Sequence, residues 1–188
     1  MLFNGLIIFI LFIALYSGAR RGLILQLILT IGYAVSFWFA LNYYQLISEY
    51  AEMIIPYPTP GSSTNNPFVL YGMELLFELD GAFYNGISFI LILFAGWLAT
   101  RLIGGLINFL ADLPVIRVVN AIGGALVSLV VHYVGLFLVL FVLSTIPIGF
   151  IQEQFENSSL ARGIVTTTPE LSNQFYDWWV EEGIENNT

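Results

Sequence analysis

Cysteine and lysine are absent from the chain, histidine occurs once, and charged residues make up only 10% of it. Without cysteine there is no disulfide, no thiolate nucleophile and no soft metal site. The 5 basic residues are all arginine (Arg20, Arg21, Arg101, Arg117 and Arg162), set against 13 acids for a net charge of −8. No basic stripe exists to neutralise phosphates, so no nucleic-acid partner is expected. One histidine and dispersed acids do not make a metal-ligand set. A glycine-rich phosphate loop, a nucleophile elbow and an HExxH helix are all missing. Neither catalysis nor a bound cofactor is expected.

What the chain has instead is apolar length. Hydrophobic residues make up 58% and the mean hydropathy is +0.85, whereas about 25% of a soluble domain is charged. A soluble protein would have to bury four long apolar runs under very little polar surface. Residues 2–19 and 22–48 carry no charge, and roughly 20 apolar residues cross a bilayer core as helix. Between these runs stands Gly18-Ala19-Arg20-Arg21-Gly22, too short for anything but a tight turn. This reads as a transmembrane hairpin with a basic tip. A secretory signal carries its basic residues before the apolar run. Here they follow it, so the first run is read as a retained span.

The expected fold is an all-α integral membrane protein with about four transmembrane helices and short interfacial amphipathic helices. The spans are placed at residues 2–16, 23–44, 82–100, and from 116–120 to 143. Aromatic residues from Trp38 to Tyr44 mark the outer end of the second span, and Phe83-Tyr84 and Trp97 mark the two ends of the third. Gly86 and Gly96 suit close helix approach, and Gly124 with Ser128 forms a small-xxx-small pair on one face of the fourth. The stretch 102–111 is too short to span. It reads as an inner extension of the third span, an interfacial helix or part of a re-entrant loop, before the break at Asp112-Leu113-Pro114.

Two domains are expected. Residues 1–147 form the membrane domain with an extracytoplasmic loop at 45–80, and 148–188 form an acidic amphipathic tail. In the loop, prolines 56, 58 and 60 exclude helix. Leu70, Met73, Leu76 and Phe77, alternating with Glu74 and Glu78, predict an amphipathic helix over 68–79. Pro147 ends the last span. In the tail, Phe155, Leu160, Ile164 and Val165 predict one surface helix. Leu171, Phe175, Trp178 and Trp179, at i, i+4, i+7 and i+8, predict another.

Charge gives the topology. Arg20, Arg21, Arg101 and Arg117 fall on one side of the four spans. The 45–80 loop and the tail, on the other, hold every acid except Asp112 and only Arg162. Short basic loops stay cytoplasmic, so both termini are expected outside.

The remaining polar residues suggest two roles. His132 lies in the middle of span four, as a neutral side chain bonded to a neighbouring span or as part of an ion or proton path. Asn108, Asp112, Arg117 and Asn120 form an inner polar cluster. An Asp112–Arg117 pair across the Pro114 turn would hold span three against span four.

The order Tyr16-Ser17-Gly18-Ala19-Arg20-Arg21-Gly22-Leu23, Gly32, Leu79-Asp80-Gly81-Ala82-Phe83-Tyr84-Asn85, Arg101, Leu113-Pro114-Val115, Arg117, Asn120 and Gly123-Gly124 resembles the CvpA family, the colicin V production proteins. The likeness covers about residues 5–145, and the tail is similar to versions from Gram-positive bacteria. Ala19 departs from it, where members often carry an aromatic residue. The resemblance implies a four-span protein of the bacterial inner or plasma membrane, linked to export of a peptide toxin and to envelope homeostasis. It implies no catalytic role for the recurrent residues Arg20, Arg21, Gly22, Asp80, Arg101, Pro114, Asn120 and Gly124. The expected partners are the lipid bilayer, further copies of the chain, or export and envelope membrane proteins. The alternative is a small oligomeric channel or transporter with a polar path near His132.

Overall fold

The computed structural model describes residues 2–58, 66–75, 79–106, 117–168 and 171–181. Four long helices dominate: α1 (Leu2–Arg21), α2 (Leu23–Ile54), α3 (Leu79–Leu106) and α4 (Arg117–Ser144). Each is long and apolar enough to cross a membrane. Three short helices follow, α5 (Gly149–Glu156), α6 (Ser159–Thr167) and α7 (Leu171–Tyr176), and a π-helical turn at Asp177–Glu181. No strand occurs among the described residues. The fold is that of an all-α membrane protein.

Several boundaries differ from the sequence reading. Helix α1 runs to Arg21, past Tyr16, so of the expected turn at 18–22 only Gly22 is non-helical. Helix α2 does not stop near Tyr44 but runs to Ile54, 32 residues in all, or about 48 Å at 1.5 Å per residue. Nothing in residues 45–54 breaks a helix; the first proline is Pro56. Helix α3 begins at Leu79 and continues to Leu106, so the start of the 102–111 stretch extends the third helix. Residues 107–116, with Asn108, Asp112 and Pro114, lie outside the described residues. The amphipathic helix expected over 68–79 is replaced by a 3-10 turn at Met73–Leu75, preceded by irregular backbone; 76–78 lie outside the description. The cause is Asn66. Its side chain accepts from the Phe68 N–H (3.0 Å) and donates to the Tyr71 carbonyl (2.6 Å). It offers the backbone local partners that compete with a helix. Phe68 and Tyr71 are buried.

The tail likewise forms two helices where one was expected around 155–165. Ser158 is extended, and its hydroxyl accepts the Ala161 N–H at 3.0 Å, an N-cap that starts α6 afresh. Phe155, Ile164 and Val165 are buried as their spacing suggests, whereas Leu160 is exposed.

The chain groups into two compact units. One comprises Met1–Ile7, Tyr43–Phe89 and Phe137–Thr188; the other comprises Ile8–Asn42 and Ile90–Leu136. The first is here called the tail unit and the second the hinge unit.

The tail unit is built on an aromatic core. Trp179 and Phe175 are fully buried and meet edge to face at 4.7 Å between centroids. Phe89 of α3 packs on both, and Phe141 of α4 on Trp179. Such edge-to-face pairs satisfy the ring quadrupoles. Gly86 makes the approach possible: a Cβ there would lie 2.4 Å from a Val142 methyl and 2.9 Å from the Trp179 ring.

The same unit closes the end of α4. Pro147 stops the helix, which leaves its last carbonyls without helical partners. Side chains take their place. Thr145 Oγ1 donates to Val142 O, Ser144 Oγ to Phe141 O, and Gln152 Nε2 to Ser144 O and Ile146 O. The Tyr57 hydroxyl donates to Thr145 O at 2.6 Å. The Ser144 proton is already committed, so Tyr71 is the donor in its 2.8 Å bond to Ser144 Oγ. Gln152 Oε1 accepts from Val69 N–H. Loop 45–80 and tail are thus both stitched to one helix end. Asn4, near the start of α1, accepts from the Ser158 hydroxyl at 2.5 Å.

Candidate functional site at the helical hinge

A single residue separates α1 from α2. Gly22 has φ of +80°, a backbone conformation costly for any residue with a Cβ. Its N–H donates to Gly18 O at 3.0 Å. Helix α2 then starts with N–H groups that lack helical acceptors. One of them, on Leu23, is taken by the Asn120 side-chain oxygen of α4 at 2.7 Å. Asn120 therefore caps α2 from another helix, 97 residues away in sequence.

Above Asn120 on the same face of α4 come Gly124, Ser128 and His132, spaced by four. Gly124 sits on the hinge itself: a Cβ there would lie 2.4 Å from Gly18 O and 2.7 Å from Gly22 C. A Cβ on Gly18 would meet Gly124 O and Ser128 Cβ, both at 2.4 Å. Backbones touch because neither helix carries a side chain at the contact, the geometry small-xxx-small spacing permits. His132 folds back on its own helix. Its Nδ1 lies 2.8 Å from Ser128 O and 3.4 Å from Ser128 Oγ, and the ring is half-buried.

The structure thus brings together Gly22, Asn120 and Gly124 of the sequence candidates. The arginines lie around them. Arg20 is exposed with its guanidinium 5.9 Å from the Tyr16 ring centroid. Arg101 sits 5.3 Å from the Trp97 ring centroid, a cation–π contact along one turn of α3. Arg21 is half-buried and lies within electrostatic reach of Arg101 and Tyr33. Arg117 opens α4, but its side chain, and the expected pair with Asp112, lie outside the described residues. Asp80 belongs to the tail unit, in the first turn of α3, where its carboxylate accepts the Gly81 N–H at 2.9 Å.

Two sets of polar residues were missed in the sequence. Gln26 is fully buried one turn into α2, with both side-chain polar atoms unpartnered among the described residues. Its signal was its place: a carboxamide inside an uncharged run. The other set is the cap of Tyr57, Tyr71, Ser144 and Gln152, which no local pattern announces. Burial raises the Tyr57 hydroxyl above the ordinary phenol range, helped by nearby Asp80 and then Tyr71 and Tyr84. Burial raises Tyr71 as well.

A family model described as Colicin V production protein matches residues 3–169, which covers the hinge, all four long helices and α5 and α6. The chain belongs to the colicin V production protein family. A relative of known sequence is the uncharacterized transmembrane protein YshB of Bacillus subtilis (strain 168). It is 30% identical over 178 residues, covering 95% of this chain and 97% of YshB. No solved structure matches. Membership agrees with the resemblance carried by the Arg20-Arg21-Gly22 turn and the Asn120–Gly124 face. In this family member those two motifs are one contact.

Proposed function

We propose that this chain assists export of a peptide toxin, or upkeep of the cell envelope, as a non-enzymatic protein of the bacterial cell membrane. The family match over residues 3–169 carries the reading. In the proposed orientation the Arg20-Arg21 hinge faces the cytoplasm. Both termini, the loop and the acidic tail lie outside. The charge distribution supports this, because arginines cluster at the hinge end and acids at the other. Lipid is the surrounding partner. Further copies of the chain or export and envelope proteins are the expected protein partners.

Disrupting the gene in its bacterial host and measuring secretion of a small peptide bacteriocin, together with detergent sensitivity, tests this reading. Unchanged secretion and an unchanged envelope in the disrupted strain would remove it. Orientation has its own test, since single cysteines can be added to a cysteine-free chain. A cysteine at position 20 should react with an impermeant reagent only in inverted vesicles, and one at position 153 only in intact cells stripped of their wall.

A channel or transporter is the second reading. The half-buried His132 at the top of the polar face of α4 favours it. Substituting His132→Leu, with folding intact, should then abolish ion or solute flux in vesicles; unchanged flux would leave His132 as packing.

A further inference from the structure

The hinge unit, residues 8–42 and 90–136, holds four arginines, Arg20, Arg21, Arg101 and Arg117, and one acid, Asp112. Three of its positive charges therefore have no carboxylate of the unit to match them. A guanidinium stays charged whatever surrounds it. Next to apolar helices that charge is costly unless an anion lies beside it.

The packing of α3 on α2 brings two of these arginines to one place. A Cβ added to Gly96, Gly32 or Gly104 would collide with Ser36, Thr100 or Leu29 respectively. The paired positions 36–96, 32–100 and 29–104 make the two helices antiparallel and closely packed. Arg101 follows Thr100 and Tyr33 follows Gly32, so both leave this contact at one level. Arg21, half-buried at the hinge, lies within electrostatic reach of both.

The outer side of α3 supplies the apolar half. Arg101 is exposed, and its guanidinium lies over the Trp97 ring at 5.3 Å. Trp97 stacks on Phe94, with ring centroids 5.7 Å apart and planes 20° from parallel. Leu91, Phe94 and Leu98 are exposed on the same helix face as Arg101. An apolar strip thus ends in a guanidinium held on an indole, with a phenol and a second guanidinium beside it.

We propose that Arg21 and Arg101, framed by Tyr33 and Trp97, hold the phosphodiester of an anionic phospholipid whose chains lie along the Leu91–Leu98 strip of α3. A phosphate matches the fork of a guanidinium. Indole and phenol rings settle at headgroup depth, and basic pockets between membrane helices take anionic headgroups. A headgroup with net negative charge is required, because a choline ammonium would cancel its own phosphate.

The test titrates phosphatidylglycerol and phosphatidylcholine separately into the full chain in neutral detergent and counts bound lipid by native mass spectrometry. The native chain should bind phosphatidylglycerol at least ~10-fold more tightly, two arginines contributing. Arg101→Gln and Arg21→Gln should each cut that preference by about 3-fold or more. Arg101→Lys, which keeps the charge without the fork, should cut it less. Arg20 sits over Tyr16 of α1 instead, so Arg20→Gln should leave the preference nearly unchanged. Equal affinity for the two lipids overturns the proposal. So does an equal loss from Arg20→Gln and Arg101→Gln, since the attraction would then be diffuse. If Arg21→Gln does not fold, Arg101→Gln, on the exposed face, decides alone. Thermal unfolding distinguishes the source of the phosphate. Phosphatidylglycerol should raise the melting temperature of the native chain more than that of Arg101→Gln, and glycerol 1-phosphate should raise neither. A rise with glycerol 1-phosphate as large as with the lipid would make the occupant a free phosphate and overturn the lipid site.

Discussion

Asn120 Oδ1 accepts the Leu23 N–H at 2.7 Å, so one helix supplies the first cap of another. Removing a side-chain N-cap costs about 0.5–2 kcal/mol in water, and with fewer waters to replace it the upper end applies here. Asn120→Ala should therefore lower unfolding stability in detergent by ~2 kcal/mol. Asn120→Asp keeps the acceptor and should fall between Asn120→Ala and the native chain. Equilibrium unfolding of the three proteins checks the order.

The hinge contact tolerates no added atom. Gly124→Ala would push a methyl against Gly18 O and Gly22 C, which are backbone and cannot rotate away. We expect a loss of roughly 1–3 kcal/mol, the usual range for overpacking. Gly135 has nothing within 4 Å of its hypothetical Cβ. Gly135→Ala should raise stability slightly, by up to ~1 kcal/mol, because glycine weakens a helix interior. Thermal unfolding of the pair separates contact from propensity.

Trp179 is fully buried among Phe89, Phe141 and Phe175, yet its Nε1 has no partner among the described residues. Trp179→Ala should cost about 3–5 kcal/mol and expose the tail to protease. Trp179→Phe keeps an aromatic ring against Phe89, Phe141 and Phe175 and should cost less. Limited proteolysis followed by mass spectrometry reads both.

Tyr57 and Tyr71 give the tail unit an alkaline limit. Burial holds both phenols above the ordinary value of 10.0 in the folded protein. A raised acid pKa means that the unfolded chain loses its proton first. The stabilisation is complete below pH ~10 and declines as pH rises from there towards the folded values. The contribution of these two tyrosines to the melting temperature should be constant up to about pH 10 and fall above it. Tyr71→Phe should cost ~1 kcal/mol at neutral pH for its bond to Ser144 and flatten the alkaline fall. Phenolate absorbance and melting curves, taken on the same samples, test both statements.

How much of this was readable beforehand follows from range. Spans announce themselves through unbroken apolar runs, and the hinge through Arg20-Arg21-Gly22 between two of them. The small-residue face of α4 was visible as spacing, but not that Gly18 and Gly22 were what it touched. The far end of α2 was placed too early because aromatic residues mark a membrane interface, not a helix terminus. Asn66 replaced a helix that hydrophobic periodicity favoured at 68–79. The cap on α4 joins Tyr57, Tyr71 and Gln152 to residues 144–146. Pairings such as Tyr71 with Ser144, 73 positions apart, leave no mark on local composition. Gln26 was overlooked because a lone amide barely disturbs an apolar average, although its physical cost is large.

Only Gly22 lies between Arg21 and Leu23. A joint of one residue has no slack. The end of α1 and the start of α2 therefore cannot move apart, whereas a loop of ordinary length would let them. During synthesis the same shortness makes the two helices a single cargo, too closely tied for one to settle in the bilayer while the other waits outside.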